Sequence, residues 1–477
     1  VNIDATSKLS HALGGSITGD VTNAGMIYWQ NLGQTLTING NYTGAAGNLS
    51  LGTDLGDDGS VTDKLVITGN SSGTTAVTVR PEGTSAGAQT NVGIDVIDVA
   101  GTSDAVFTLA APVQAGAYEY ILKQGGNGGN ANNWYLTSTY DCSLNSSCVI
   151  PTEPVVPIYR PSVALYTTAQ TANADLGYLV LDTLHQRMGE QRGVSTAKPQ
   201  TWIRAIAGYT SNNGKNRFEY DQTSVGFQIG RDLLQTTASN GTQQHAGVTT
   251  QYVRGNMDAR DRARPEAGLS LNAGHLQTTA YGLGGYYTRM TDKGTYLDLV
   301  TQVNRLDNQF NDVYGGSSKQ KGWQAGLSAE VGTPFGQIKG WQFEHQAQLS
   351  YLYGRYGDFS DQFSNISGLN THNLRARLGL RVHKQTNPDS AKSAQYYGIV
   401  NLHQDLISPK SIKLTSLNGS NTVGVSEKYD RTTWELGAGV QHPLGKDTYF
   451  YGDARYEQSF GDRKHSGKIT FGIKSSF

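Results

Sequence analysis

Leu374-Arg375-Ala376-Arg377-Leu378-Gly379-Leu380-Arg381-Val382-His383 sends Leu374, Ala376, Leu378, Leu380 and Val382 to one side of an extended chain and Arg375, Arg377, Arg381 and His383 to the other. Side chains of a strand alternate between its two faces, so one face here is aliphatic and the other cationic. A soluble barrel would turn the apolar face inward around a dry core. Ionic residues on the polar face of strand after strand describe instead a wet lumen and an exterior against hydrocarbon. Trp323, Ala325, Leu327, Ala329 and Val331 oppose Gln324, Ser328 and Glu330 in the same way. Phe450, Ala454, Tyr456 and Phe460 oppose Asp453, Arg455 and Glu457. The chain closes with Ile469, Phe471, Ile473 and Phe477 alternating with Lys468, Thr470, Gly472, Lys474 and Ser476.

Twelve such segments follow Pro199, centred on residues 202–209, 225–232, 246–252, 281–287, 296–304, 323–331, 343–353, 374–382, 397–403, 434–441, 449–460 and 468–477. Turn residues separate them, as at Asn212-Asn213-Gly214 and Asp292-Lys293-Gly294. An even strand number puts both ends of a barrel over 200–477 on the periplasmic side. Residues 408–431 look like an external hairpin or loop. Mean hydropathy is −0.44, with Gly 59 and Tyr 26 among 477 residues. That balance suits strands with aromatic girdles better than transmembrane helices.

The front differs in charge. Residues 1–161 carry 5 Lys and Arg against 13 Asp and Glu, while the rest carry 33 against 26. No uniform basic surface of the kind that grips nucleic acid results. Up to about residue 136, short β-branched runs such as Leu36-Thr37-Ile38, Leu65-Val66-Ile67 and Ile94–Val99 end in Asn39-Gly40, Gly69-Asn70 and Gly101-Thr102. Such punctuation reads as all-β, with a β-solenoid favoured over a sandwich. Residues 137–161 form a linker holding Cys142, Cys148 and four prolines. An oxidising compartment permits a small disulfide loop there, the alternative being two unlinked thiols.

Residues 162–193 show helical spacing, with Ser162 as N-cap, Leu165, Ala169, Ala172 and Leu176 along one stripe, and Gly193 as stop. Such a rod would be roughly 45 Å long, a bilayer with its headgroups. It carries Asp175, Asp182, His185, Arg187, Glu190 and Arg192, so it can cross only inside a polar lumen. Residues 1–30 lack a signal-peptide pattern, and the expectation is the processed back end of a longer precursor.

This order of parts resembles the autotransporters of type V secretion. Leu36–Gly44, Thr62–Gly69, Gly116-Ala117-Tyr118-Glu119-Tyr120 and Asn133-Trp134-Tyr135-Leu136 are similar to the autochaperone segment of pertactin-like passengers. Tyr159-Arg160-Pro161 and Leu184–Glu190 resemble the borders of the family's pore helix; Trp202-Ile203-Arg204 and Ile469–Phe477 resemble its first strand and assembly signal. The resemblance implies a right-handed parallel β-helix over 1–136 on the cell surface, a pore helix over 162–193 and a twelve-stranded antiparallel barrel in a bacterial outer membrane. It implies a monomer that exports and anchors its own passenger, aided by the barrel assembly machinery and periplasmic chaperones. Leu165, Asp175, Asp182, His185 and Arg187 would belong to the helix. Arg204, Glu330, Glu344, Arg375, Arg377, Arg381, Asp453, Arg455 and Glu457 would line the lumen, where a solvated charge girdle is the plainer account of Glu330, Glu344 and Arg377.

Some members cut their passenger at paired asparagines in the helix. The matching positions here are Asp182 and Thr183, which argues against that reaction; Asn173-Ala174 is a weaker place for it. Gly69–Gly73 and Gly83–Gly87 fit a nucleophile-elbow pattern but lack a nearby histidine. Asp54, Asp57, Asp58 and Asp63 fail the spacing of a calcium loop and read as a solvated acidic turn. No catalytic residue, metal site or cofactor is therefore expected. Two other classes stay open: a surface adhesin whose solenoid binds host or neighbouring cells, and a plain pore.

Overall fold

In a computed structural model, the described residues are 1–144, 148, 155–191, 199–386, 393–407, 411–445 and 447–476. Residues 1–137 stack as coils. Strands Gly15–Thr18, Thr35–Asn39, Lys64–Ile67 and Ile94–Val99 pair in parallel down one wall. Strands Val21–Asn23, Tyr42–Thr53, Ser71–Pro81 and Val106–Leu109 pair in parallel down another. Equivalent apolar residues then lie one above the next: Leu36, Leu65 and Ile97, or Ile38, Ile67 and Val99, all buried. The solenoid expectation holds, and the sandwich does not.

The turn residues read in the sequence occupy one corner of successive coils. Asn41 Oδ1 accepts from the Asn70 N–H at 2.9 Å, and Asn70 Oδ1 accepts from the Thr102 N–H at 2.9 Å. A Cβ on Gly69 would stand 2.5 Å from Asn41 Oδ1 and 2.6 Å from the Gly40 carbonyl, so glycine is required there by contact. The acidic turn is not merely solvated. Asp58 accepts from the N–H groups of Asn91, Val92 and Gly93 at 2.9, 3.0 and 2.9 Å, and buried Asp63 accepts from Gln34 and Gly52 at 3.0 and 2.7 Å. These carboxylates tie one coil to its neighbour. At its C-terminal end the stack is closed by antiparallel pairing of Ile94–Val99 with Trp134–Thr137, then Tyr118–Gln124 and Val113–Ala115.

Thr139–Asp141 pairs antiparallel with Val155–Pro157 in the linker, and Cys142 and Cys148 are disulfide-bonded. Twelve antiparallel strands form a closed barrel: Gln200–Asn213, Phe218–Thr237, Gln243–Asp261, Asn272–Met290, Tyr296–Asp312, Ser317–Ile338, Trp341–Tyr356, Thr371–Gln385, Gln395–Ile407, Thr432–Pro443, Thr448–Ser459 and Lys464–Ser476. Each coincides with one of the segments expected from alternation. The residues expected around 408–431 include a hairpin, Ile412–Ser416 with Thr422–Val425, which joins Ser364–Ser367 and Phe359–Ser360 in a small external sheet.

Sidedness follows the parity read above. Leu378 is 62% exposed and Leu327 57%, whereas Arg377 and Glu330 are buried. Outward Ile469, Phe471 and Ile473 are likewise exposed, and Phe477 lies outside the described residues.

The single rod over 162–193 requires correction. The first helix spans Pro161–Leu181, 21 residues and about 32 Å, and a five-residue helix Leu184–Met188 follows a break at Asp182. Arg160 rather than Ser162 holds the N-cap position, because Pro161 has the fixed φ and missing N–H that suit the first helical residue. The break has tertiary causes: Arg204 donates to the carbonyls of Val180 and Gln186 at 2.9 and 3.2 Å, and Gln348 donates to that of Asp182 at 3.0 Å. Asp182 takes φ 44°, and Thr183 caps the second helix through the Gln186 N–H. The expected stop at Gly193, with Arg192, lies outside the described residues.

Two outcomes follow. Asp58→Ala strands three inter-coil N–H groups and should cost about 1–3 kcal/mol; earlier protease digestion of the surface-exposed coils would report it. Leu378→Arg should destabilise the barrel by about 2–4 kcal/mol in urea titrations of the vesicle-inserted protein, because it puts a charge against the acyl chains.

Candidate functional site: the lumen and its helix

The lumen is built from inward positions of all twelve strands and filled by the two helices. Small residues make the room. A Cβ on Gly255 would stand 3.0 Å from Leu176 Cδ1, and one on Gly274 would stand 3.0 Å from Leu165 Cδ1. Buried Leu165 thus packs on the wall near the outer mouth. Further in, Gln324 donates to the Asn173 carbonyl at 2.9 Å and Thr278 to the Asn173 side chain at 3.0 Å.

Each described ionic residue expected on the helix meets a barrel partner; Arg192 lies outside the described residues. Asp175 accepts from the Tyr220 hydroxyl at 2.6 Å and faces Lys464 at 3.5 Å. Asp182 is held by Arg204 at 2.6 Å and also by Lys468. His185 Nε2 lies 3.4 Å from Glu344 and edge-on to Tyr296. Arg187 Nη2 reaches both carboxylate oxygens of Asp298 at 2.7 and 2.9 Å, and the Tyr451 hydroxyl donates to the Arg187 carbonyl at 2.6 Å. Glu190 pairs with Arg381 at 3.0 Å, while Lys474 reaches its carbonyl.

The expected lumen charges form one connected lining. Glu330 accepts from the Leu184 N–H at 3.0 Å and the Tyr296 hydroxyl at 2.6 Å, with Arg377 at 3.2 Å. It therefore caps the second helix directly and is more than a solvated girdle. Asp453 accepts from Gln186 at 3.0 Å and Arg455, which also pairs with Glu435 at 2.9 Å. Arg375 pairs with Asp405 at 2.6 Å and stacks over Tyr178, and Glu457 faces Lys464 at 3.4 Å. A cavity of about 110 Å³ remains beside Asp182, lined by Arg375, Arg377, Arg455, Lys464 and Lys468 with Glu435 and Glu457. Among the described residues no group of His, Cys, Asp and Glu is arranged to hold a metal ion.

Sequence reading gave no site role to Asp298, Glu435, Tyr296, Tyr451, Gln348 and Lys468. Their parity marked them as inward, but nothing local says which helix atom each meets. It also missed a clasp at the outer mouth. Arg264 donates to Glu119 and to the Tyr159 carbonyl, each at 2.8 Å, and Tyr314 donates to Glu119 at 2.7 Å. Burial, and then the Glu119 carboxylate, push the Tyr314 hydroxyl up to about 12, so it remains a donor. Arg160 pairs with Asp361 at 2.7 Å and donates to the Gly116 carbonyl at 2.6 Å. Barrel rim, helix start and last coil are thus bolted together.

A closed antiparallel barrel, apolar outside and threaded by a helix that leads out to a β-helix, defines an outer-membrane translocator with a surface-exposed passenger end. The Autotransporter beta-domain family matches residues 201–455, and Autochaperone Domain Type 1 matches residues 16–122. The chain belongs to the autotransporter family. It is 32% identical to the adhesin BmaC autotransporter of Brucella suis biovar 1 (strain 1330), over 96% of this chain and 14% of that protein. It is 29% identical to YuaQ of Escherichia coli (strain K12), over 100% of this chain and 35% of that one. The chain therefore spans a minor part of both relatives. The transport unit of the autotransporter AIDA-I from Escherichia coli superimposes with TM-score 0.51 at 15% identity, over 67% of this chain and 100% of that one, a likeness of fold.

Arg187→Ala would leave Asp298 buried beside the helix without its counter-ion, costing about 3–5 kcal/mol. A lower temperature for loss of the compact, heat-modifiable gel form would register this. Arg187→Met with Asp298→Asn should recover most of it.

Proposed function

We propose that this chain exports its own passenger through the barrel, holds it on the cell surface and offers its last coils as the folding template. The observation that carries this reading is the path of the backbone. From the clasp at the outer mouth the chain descends through the lumen as two helices broken at Asp182, and the first strand begins at Gln200, near the far end. The passenger end and the barrel are joined by a tether that occupies the pore. Solenoid coils form by docking on a completed neighbour, so a closed terminal coil can start the stack. Outward Ile469, Phe471 and Ile473 on the last strand support recognition by the assembly machinery, with periplasmic chaperones acting before insertion.

Asp182 supports a tether that stays whole. It has no side-chain amide to attack the backbone, and its carboxylate is engaged by Arg204 and Lys468. The adhesin BmaC gives a second reading, in which the coils themselves bind a host or neighbouring cell. The test uses intact cells. Externally added protease should remove residues 1–136 while leaving the barrel, and blots against both termini should show one full-length chain before digestion. A protected passenger end would sink the proposal. Loss of cell attachment on deleting 1–136, with the barrel still inserted, would favour the adhesive reading.

A further inference from the structure

The outer wall carries a cationic patch that the pairing inside the lumen does not use. In the ladder across the fourth to seventh strands, Tyr281, Arg305, Trp323 and Arg355 lie side by side. All face outward, and Trp323 is 52% exposed with the Arg305 guanidinium 5.5 Å from its ring centre. Toward the cell surface on the sixth strand follow Lys321 and Lys319, both exposed. Among the described residues none of Arg305, Lys319, Lys321 and Arg355 has a carboxylate in ion-pair range. Asp307 lies across the ladder from Lys321, and exposed Asp358 follows Gly357, whose N–H donates to the Lys321 carbonyl. On the second and third strands, by contrast, Arg260 is neutralised by Glu219 and Asp221 at 2.8 and 2.5 Å.

Depth identifies what the patch meets. Trp323 lies in the surface-side aromatic girdle, and Phe335, 59% exposed on the same strand, lies in the periplasmic one. Twelve residues on a strand tilted by about 40° separate the two girdles by roughly 30 Å, the thickness of a hydrocarbon core. Lys321 and Lys319 then stand about 5 and 10 Å above its edge, at headgroup level. Below the patch, on the third to seventh strands, the wall recedes. Ala246, Gly285, Thr301 and Ala329 leave a concavity of about 700 Å³ framed by Leu299, Leu327 and Leu349.

We infer that the outer face of the third to seventh strands forms a site for a phosphate-bearing, multiply acylated lipid of the outer leaflet. The arginine forks and lysines take the phosphates, and the recess takes an acyl chain. Guanidinium groups pair with phosphate in a two-point geometry, and each cation at a membrane surface adds attraction to anionic lipid. A headgroup site and an acyl recess on adjoining strands favour a lipid over a free anion or a protein partner.

The full chain in nanodiscs of phosphatidylcholine, doped with bis-phosphorylated lipid A, provides the test, with retained lipid counted by native mass spectrometry. The wild type should enrich lipid A over phosphatidylcholine about tenfold or more. Lys319→Gln/Lys321→Gln alone, and the quadruple variant with Arg305→Gln and Arg355→Gln, should lose that enrichment stepwise while keeping heat-modifiable folding. Ala329→Trp, which fills the recess and leaves the charges, should reduce it as well. Lys293→Gln/Lys339→Gln, in periplasmic turns, should not. Absence of enrichment in the wild type, or equal losses from the periplasmic variant, would overturn the site. So would displacement of lipid A by millimolar inorganic phosphate with no effect of Ala329→Trp, which would indicate a simple anion site.

Discussion

The pairing of the last strand with the first governs everything else in this molecule. Thirteen register pairs, from Gln200 with Ser476 to Asn212 with Lys464, close the sheet. In hydrocarbon no water is present to bond an open edge, and each bare N–H or carbonyl would cost several kcal/mol. Closure at twelve strands fixes the girth, and the girth leaves a bore that a helix fills. The closing strand serves both sides of the wall. Ile469, Phe471 and Ile473 face lipid, while Lys468 and Lys474 reach the tether at Asp182 and Glu190. Seam and plug are therefore coupled through one segment.

Given that bore, its lining has to be satisfied by whatever passes through it. Arg204, Gln348 and Glu330 bond backbone groups of the tether where it breaks, replacing helical partners with side chains. Buried ion pairs of this kind contribute little net stability, since desolvation offsets attraction. Their consequence is registry: Arg187 finds Asp298, and Glu190 finds Arg381, at one depth and rotation only. The break at Asp182 belongs to this logic, because a straight helix would keep the Val180 carbonyl that Arg204 takes.

What could be read from residues alone follows from the range of each signal. Alternation is a property of neighbours, so Leu378 beside Arg377 disclosed the wall and its two faces without knowledge of any partner. The coil corners were legible for the same reason: Asn39-Gly40 and Gly69-Asn70 are local turn chemistry that repeats. The helix boundary and break were not. No glycine or proline marks Asp182, and the groups that open the helix there lie on the first and seventh strands, 22 and 166 residues away. Asp58 was misjudged similarly, because its three N–H partners arrive 33 to 35 residues later, in the next coil.

The clasp at the outer mouth extends the same reasoning beyond the membrane. A parallel stack ends in an unpaired edge, which invites pairing with other chains unless it is covered. Here the edge of Ile94–Val99 is covered by antiparallel Trp134–Thr137, and Thr139–Asp141 just after that cover pairs antiparallel with Val155–Pro157 just before the helix. The Glu119 N–H donates to the Ile158 carbonyl at 2.9 Å, and Arg264 grips Glu119 and Tyr159 together. The cover is thereby tied both to the linker that enters the helix and, through Arg264, to the barrel rim. In the proposed template reading, coils would be added outward from this anchored terminal coil, each on the face left by the one before.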